Sequence, residues 1–136
     1  MEMIKSFFAA STVFVLATAL VGCATKKEYT GPEPAATVVM QFHSFDPGTV
    51  TIKVGDTVRW NNTSLIWHTV TGDPAAAKEP NHVAIPAGAQ PFDSGKVEMG
   101  GNWWHTFTVP GIYHYICKPH ENNGMAGTIV VQKADK

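Results

Sequence analysis

From Thr49 to Trp60 the side chains alternate. Val50, Ile52 and Val54 fall on one side of an extended chain and Thr51 and Lys53 on the other; Val58 and Trp60 then resume the apolar side while Thr57 and Arg59 face out. A repeat of two residues is the period of a strand with one face in a core, whereas the apolar positions of a helix recur every three to four residues. Gly55-Asp56 between the two runs is a turn signal, so a tight turn joining two strands is expected.

The pattern recurs along the chain. Val38 to Phe42 reads as a strand and is followed by the turn signal Phe45-Asp46-Pro47-Gly48. Ile66, His68 and Val70 share one face of a further predicted strand, which puts His68 among core-facing positions. Phe92 opens a short strand, 103–109 is another, and Pro110-Gly111 turns the chain into 112–117, where Tyr113, Tyr115 and Cys117 share a face and His114 faces outward. Thr128 to Gln132 makes the last strand. Residues 71–91 contain four prolines and a short alanine run, and the pattern assigns them no element beyond a short helical turn. Short strands with frequent turns and almost no helical periodicity predict an all-β fold, an antiparallel Greek-key β-sandwich. An immunoglobulin-like sandwich is the runner-up, but its Cys…Trp…Cys spacing is missing.

The N-terminus is of another kind. Lys5 precedes an apolar run from Phe7 to Leu20 interrupted only by Ser and Thr, and the run ends in Leu20-Val21-Gly22-Cys23. Its length and small terminal residues suit a cleaved signal rather than a membrane span. Leu-Val-Gly-Cys resembles the lipobox of bacterial lipoproteins, which implies a signal peptide over 1–22, a lipid on Cys23, and a membrane-anchored protein facing the periplasm or the cell exterior. Ala24 rather than Asp resembles sorting to the outer membrane in a Gram-negative source. Residues 23–37 are polar and rich in Pro, Ala and charge, as a flexible tether would be, and 38–133 form the expected domain. The net charge of −1 supplies no basic face for nucleic acid, and a monomer is expected. The chain has two cysteines. In an exported protein two cysteines normally pair, but a lipid on Cys23 leaves Cys117 a lone thiol in an oxidising compartment. Metal ligation would both protect and employ it.

The densest chemistry is Cys117-Lys118-Pro119-His120-Glu121-Asn122-Asn123-Gly124-Met125, a Cys-x2-His-x4-Met stretch on a loop between two strands. Thiolate, imidazole and thioether together suit copper, and one Cys, two His and a long axial Met form the blue-copper set. The loop holds one histidine, so the second comes from elsewhere, and His68 is the best placed. Taken singly, each residue has a plainer role: Met125 in a core, His120 on a solvated loop, His68 as a core histidine, Cys117 as an inert thiol. The spacing argues for them jointly. His43, His82, His105 and His114 lack this context, with His82 in the long connection the main competitor.

The chain resembles the cupredoxin family, near plastocyanins and halocyanin-type proteins. The resemblance runs from Phe45-Asp46-Pro47 through Ile52, Val54-Gly55-Asp56-Thr57-Val58, Trp60, Asn62 and His68-Thr69-Val70. It continues through Phe92-Asp93-Ser94-Gly95, Phe107, Pro110-Gly111, Tyr113, Tyr115, Cys117, Pro119-His120, Gly124-Met125 and Gly127. It implies one copper ion held by His68, Cys117, His120 and Met125, and a carrier shuttling single electrons between redox proteins such as cytochromes, oxidases or reductases. Three departures stand out. Ile116 replaces the aromatic residue plastocyanins usually have before the Cys, Thr69 replaces an Asn after the first His, and 71–91 has no counterpart. With all four positions filled no site is open to substrate, so no enzyme is expected. The alternative function is a periplasmic copper carrier or delivery protein, but after cleavage only Met40, Met99 and Met125 remain, which is no Met-rich tract. A binuclear copper enzyme would need a second Cys beside Cys117, and Met is a poor ligand for zinc.

Overall fold

The computed structural model describes residues 31–135. The expected signal segment, Cys23 and the first part of the tether lie outside them. Among the described residues the strands are β1 (Ala36–Met40), β2 (Phe45–Asp46), β3 (Thr49–Lys53), β4 (Thr57–Asn62), β5 (Thr71–Gly72), β6 (Phe92–Asp93), β7 (Asn102–Thr106), β8 (Gly111–Ile116) and β9 (Ala126–Gln132). They form two sheets, ordered β2-β1-β4-β7 and β3-β9-β8-β5-β6. β1 begins at Ala36, upstream of Val38, and the Ala35 amide already donates to the Thr57 carbonyl at 2.8 Å.

The expected β-sandwich forms, but its pairing is not antiparallel throughout. β1 and β4 run parallel, with Val38 opposite Trp60, and so do β3 and β9, with Val50 opposite Ile129. The chain path explains this. β2 and β3 follow each other across Pro47-Gly48 but belong to different sheets. The reversal at Gly55-Asp56 is therefore a corner between sheets, not a hairpin, and it returns β4 to the first sheet in the direction of β1. The corner is held by the Asp56 carboxylate, which accepts the Lys53 amide at 2.8 Å, and by the Gly55 amide donating to the Phe107 carbonyl at 2.8 Å.

Alternation predicted the buried face correctly. Val50 and Ile52 of β3 and Val58, Trp60 and Asn62 of β4 are buried, with more exposed residues between them. At the centre, the Trp60 indole in one sheet donates through Nε1 to the Tyr115 hydroxyl in the other at 3.1 Å. The two rings meet edge-on at 87°, and Phe107 packs against Trp60 with centroids 6.3 Å apart. A buried indole N–H left without a partner costs about 1–3 kcal/mol, so this bond fixes how the sheets register as well as filling the core. Gly127, opposite Tyr115 on β9, must lack a side chain: a Cβ there would lie 2.3 Å from Tyr115 Cζ.

Two expectations about elements fail. Residues 66–70 form no extended strand; His68 makes one isolated bridge to Val97, with bonds of 3.1 and 2.8 Å. Strict alternation fails there because His68, Thr69 and Val70 are all buried, the middle one using its hydroxyl inside the protein. The unassigned 71–91 segment, in contrast, is built. It contains β5, single helical turns at Pro74–Ala76 and Pro80–His82, and a bridge from Ala84 to His114 that lays it beside β8.

Candidate metal centre

Loops from several strand ends converge just past the end of β8, at Cys117. After Cys117 the chain makes a turn over Lys118–Asn123, capped by Gly124 at φ +76°, a value that favours glycine. Backbone bonds close the loop on itself: the His120 amide donates to the Cys117 carbonyl at 3.0 Å, the Met125 amide to the His120 carbonyl at 3.2 Å, and the Cys117 amide to the Met125 carbonyl at 3.0 Å. The Cys-x2-His-x4-Met spacing therefore folds back so that Cys117 and Met125, eight residues apart, are hydrogen-bonded neighbours.

His68 reaches the same point from the loop after β4. Its Nδ1 lies 3.5 Å from Cys117 Sγ, and Nδ1 of His120 lies 3.3 Å from the same sulfur. The three candidate ligand atoms all fall within 4.8 Å of one another. Cys117 is a free, fully buried thiol and His68 is fully buried, whereas His120 is only half-buried. Met125 is also fully buried at the end of the loop.

The His68 ring is oriented from behind. Ser64 Oγ lies 2.8 Å from its Nε2. Ser64 has one hydroxyl hydrogen, claimed by Asn62 Oδ1 at 2.8 Å or the Ile66 carbonyl at 2.9 Å, so its oxygen is left to accept from Nε2–H. That places the proton on Nε2 and turns the Nδ1 lone pair toward Cys117. Asn62, buried with every polar group used, holds this loop: Nδ2 donates to the Ile66 and Val97 carbonyls at 2.8 and 3.0 Å, and Oδ1 accepts the Ser64 amide at 2.9 Å.

Thr69 ties the two ligand loops together. Its amide donates to Cys117 Sγ at 3.4 Å, and its hydroxyl accepts the Lys118 amide at 2.9 Å and the Thr71 hydroxyl at 3.1 Å. Thr71 thus supports the hydroxyl that links the two loops. The protonation states suit metal binding. Burial, then the charges of His120 and His43, push the His68 pKa down to about 4. Burial, then His43, also lowers that of His120. Both imidazoles are therefore held neutral, as ligation requires. Burial raises the Cys117 thiol, with hydrogen bonds from Thr69 and the His120 amide opposing the rise. Without metal it keeps its proton, which a metal would displace.

The other histidines sort clearly. His82 is not in the cluster; its Nδ1 lies 2.9 Å from Glu121 Oε1. His114 is exposed and meets Thr128 Oγ1 at 3.1 Å, and His105 stacks on Trp103 and packs against Phe92 and, edge-on, Phe107. His43 differs from its sequence reading, because its ring lies 5.1 Å from that of His120. Nothing local in the sequence marks His43, which comes from another loop at the same end of the sandwich. Nothing local in the sequence marks Ser64 or Asn62 as supports either, although Asn62 lies within the matched motif; position 69 stands out only as a departure from the family pattern.

Residues 35–132 match the copper binding proteins of the plastocyanin/azurin family. The chain belongs to that family. The plastocyanin of a Synechococcus species is 32% identical over 130 residues, 86% of this chain and 89% of that one. A chloroplastic plastocyanin from Tetradesmus obliquus is 35% identical over 65% of this chain, which spans 58% of that protein. A halocyanin from Natronomonas pharaonis is 36% identical over 65% of this chain, spanning 48% of its own length. Among solved structures, an amicyanin variant in its reduced Cu(I) form superposes with a TM-score of 0.59 at 27% identity, covering 76% of this chain and 87% of that one. The donors found here fit the family's copper: two neutral imidazole nitrogens and one sulfur, converging in a buried site, are what selects copper over harder cations.

Proposed function

We propose that this protein carries single electrons as a blue-copper protein, in which His68, Cys117 and His120 would hold the copper and Met125 would be a weak fourth donor. The observation that carries the reading is the convergence of two imidazole Nδ1 atoms on the buried Cys117 sulfur, at 3.5 and 3.3 Å. Bound copper would supply a one-electron couple between Cu(I) and Cu(II). The protein's part is to resist rearrangement. Ser64 and Asn62 lock the His68 ring, Thr69 joins the two ligand loops, and the closed turn from Cys117 to Met125 fixes the rest. A ligand cage that moves little between oxidation states favours fast transfer. His68 is buried and His120 half-exposed, so His120 is the port through which electrons pass to and from protein redox partners. Such a site acts as a carrier rather than an enzyme.

The visible spectrum of the oxidised, copper-loaded protein tests this. An intense charge-transfer band that a reductant bleaches reversibly is expected, and Cys117→Ser should abolish it while the far-ultraviolet β signal persists. A colourless wild type would sink the reading. Rapid surrender of copper to a chelator would favour the copper-delivery alternative.

We further propose that residues 1–22 direct export and that Cys23 carries a lipid, the polar stretch after it linking a membrane anchor to the domain. The support is the Leu20-Val21-Gly22-Cys23 sequence. Mass spectrometry of the mature N-terminus decides it, and an unmodified Cys23 would reject it.

A further inference from the structure

Next to the ligand His120, inside the turn Lys118–Asn123, sits a buried carboxylate: the Glu121 side chain is 1% exposed. Its partners come from one place. Oε2 accepts the Lys78 amide at 2.9 Å, and Oε1 accepts the Glu79 amide at 3.1 Å and meets His82 Nδ1 at 2.9 Å. Burial alone would push this carboxyl up, but the two amides and the His82 ring outweigh it and hold it below its ordinary range.

The segment that receives Glu121 is itself anchored. Pro80–His82 is a helical turn closed by the His82 amide donating to the Glu79 carbonyl at 2.9 Å. Just beyond it, Ala84 and His114 of β8 exchange bonds of 2.8 and 3.2 Å. Glu121 therefore connects the metal loop, one residue past a ligand, to a turn fastened to the strand that carries the other end of the same loop. Thr69 holds the loop's start at Lys118, and Glu121 holds its middle.

We propose that Glu121 is a positioning residue of the metal centre, a clamp that holds His120 in place by fastening the ligand loop to residues 78–82. The proposal rests on the copper reading and makes the 71–91 segment a buttress of the site. An apolar side chain could fill the same space without the cost of burying a charge. What it could not do is bind three donors in one fixed arrangement. The carboxylate also places a negative charge beside the centre, which favours the more positive oxidised state.

The test uses the full-length protein with Glu121→Gln, which keeps the shape but loses the charge and one acceptor oxygen. In the metal-free protein the Lys78 and Glu79 amides should exchange with solvent at least about 10-fold faster. In the copper-loaded protein the reduction potential should rise, the visible band should change in position or relative intensity, and copper should pass to a chelator about 10- to 100-fold faster, the range typical of lost support behind a ligand. A variant with wild-type band, potential and release overturns the proposal, even if the two amides exchange faster, because Glu121 would then hold only the 78–82 turn. Unchanged exchange removes the clamp itself. Should Glu121→Gln fail to fold, His82→Ala takes away one donor through a half-exposed ring, and smaller changes in exchange and release are expected; wild-type values in both would overturn the proposal. Failure of the copper reading shows instead in the wild type, which would have no band.

Discussion

Ser64 Oγ stands 2.8 Å from Nε2 of His68, while the other nitrogen of that ring stands 3.5 Å from Cys117 Sγ. The hydroxyl thus selects the tautomer that offers Nδ1 to a metal. Ser64→Ala should leave the cluster assembled but free the ring to turn and to exchange tautomers, lowering copper affinity by about 10- to 100-fold. Competition with a chelator of known affinity measures this. Wild-type affinity would show that packing alone orients His68.

Thr69 joins the two loops through its hydroxyl. Thr69→Ala leaves the Lys118 amide without its acceptor in a partly buried setting, at a cost of about 1–3 kcal/mol, whereas Thr69→Ser keeps the oxygen and should lose less. Urea unfolding of the metal-free variants gives both values. The copper-loaded Ala form should also release copper faster, since the loops carrying His68 and Cys117 would no longer be tied at that point.

Met125 is fully buried where the ligand loop closes. If its thioether is a weak fourth donor to copper, Met125→Gln, a stronger oxygen donor, should lower the reduction potential, and Met125→Leu, with no donor, should raise it. Both should keep a visible charge-transfer band because Cys117 and the two histidines remain. Voltammetry separates this from a packing role, in which the three forms would share one potential and differ only in stability.

His105 lies away from the metal loop, its ring 4.5 Å from that of Phe92, 5.7 Å from Trp103 and 4.7 Å from Phe107. Burial lowers its pKa from the ordinary 6.5. The folded protein thus holds this ring neutral at a pH where the unfolded chain already takes up the proton. Its contribution to stability is intact above 6.5 and is lost as the pH falls from there toward the folded value, below which the loss levels off. His105→Phe should remove this dependence: the variant should gain on the wild type progressively as the pH drops below 6.5. Urea titrations across that range measure it, and parallel stability curves would reject the assignment.

Much of this protein is encoded locally. The two-residue alternation from Thr49 to Trp60 determined which side chains enter the core, because a strand's side-chain period follows from covalent geometry whatever the strand pairs with. The candidate donors Cys117, His120 and Met125 stood out for a similar reason: they lie on one short loop, and eight residues of connectivity already limit how far apart they can be. Only the tertiary structure decided who meets whom across the chain. Alternation reports a buried face but not a partner's direction, so the parallel pairings of β1 with β4 and β3 with β9 appeared only with the path between sheets. The Ser64 bond that turns His68, the His43 ring against His120, and the grip of Lys78, Glu79 and His82 on Glu121 depend in the same way on loops distant in sequence meeting at one end of the sandwich. The chain's local chemistry puts Cys117, His120 and Met125 on one loop, and the meeting of distant loops decides how firmly that loop and His68 are held.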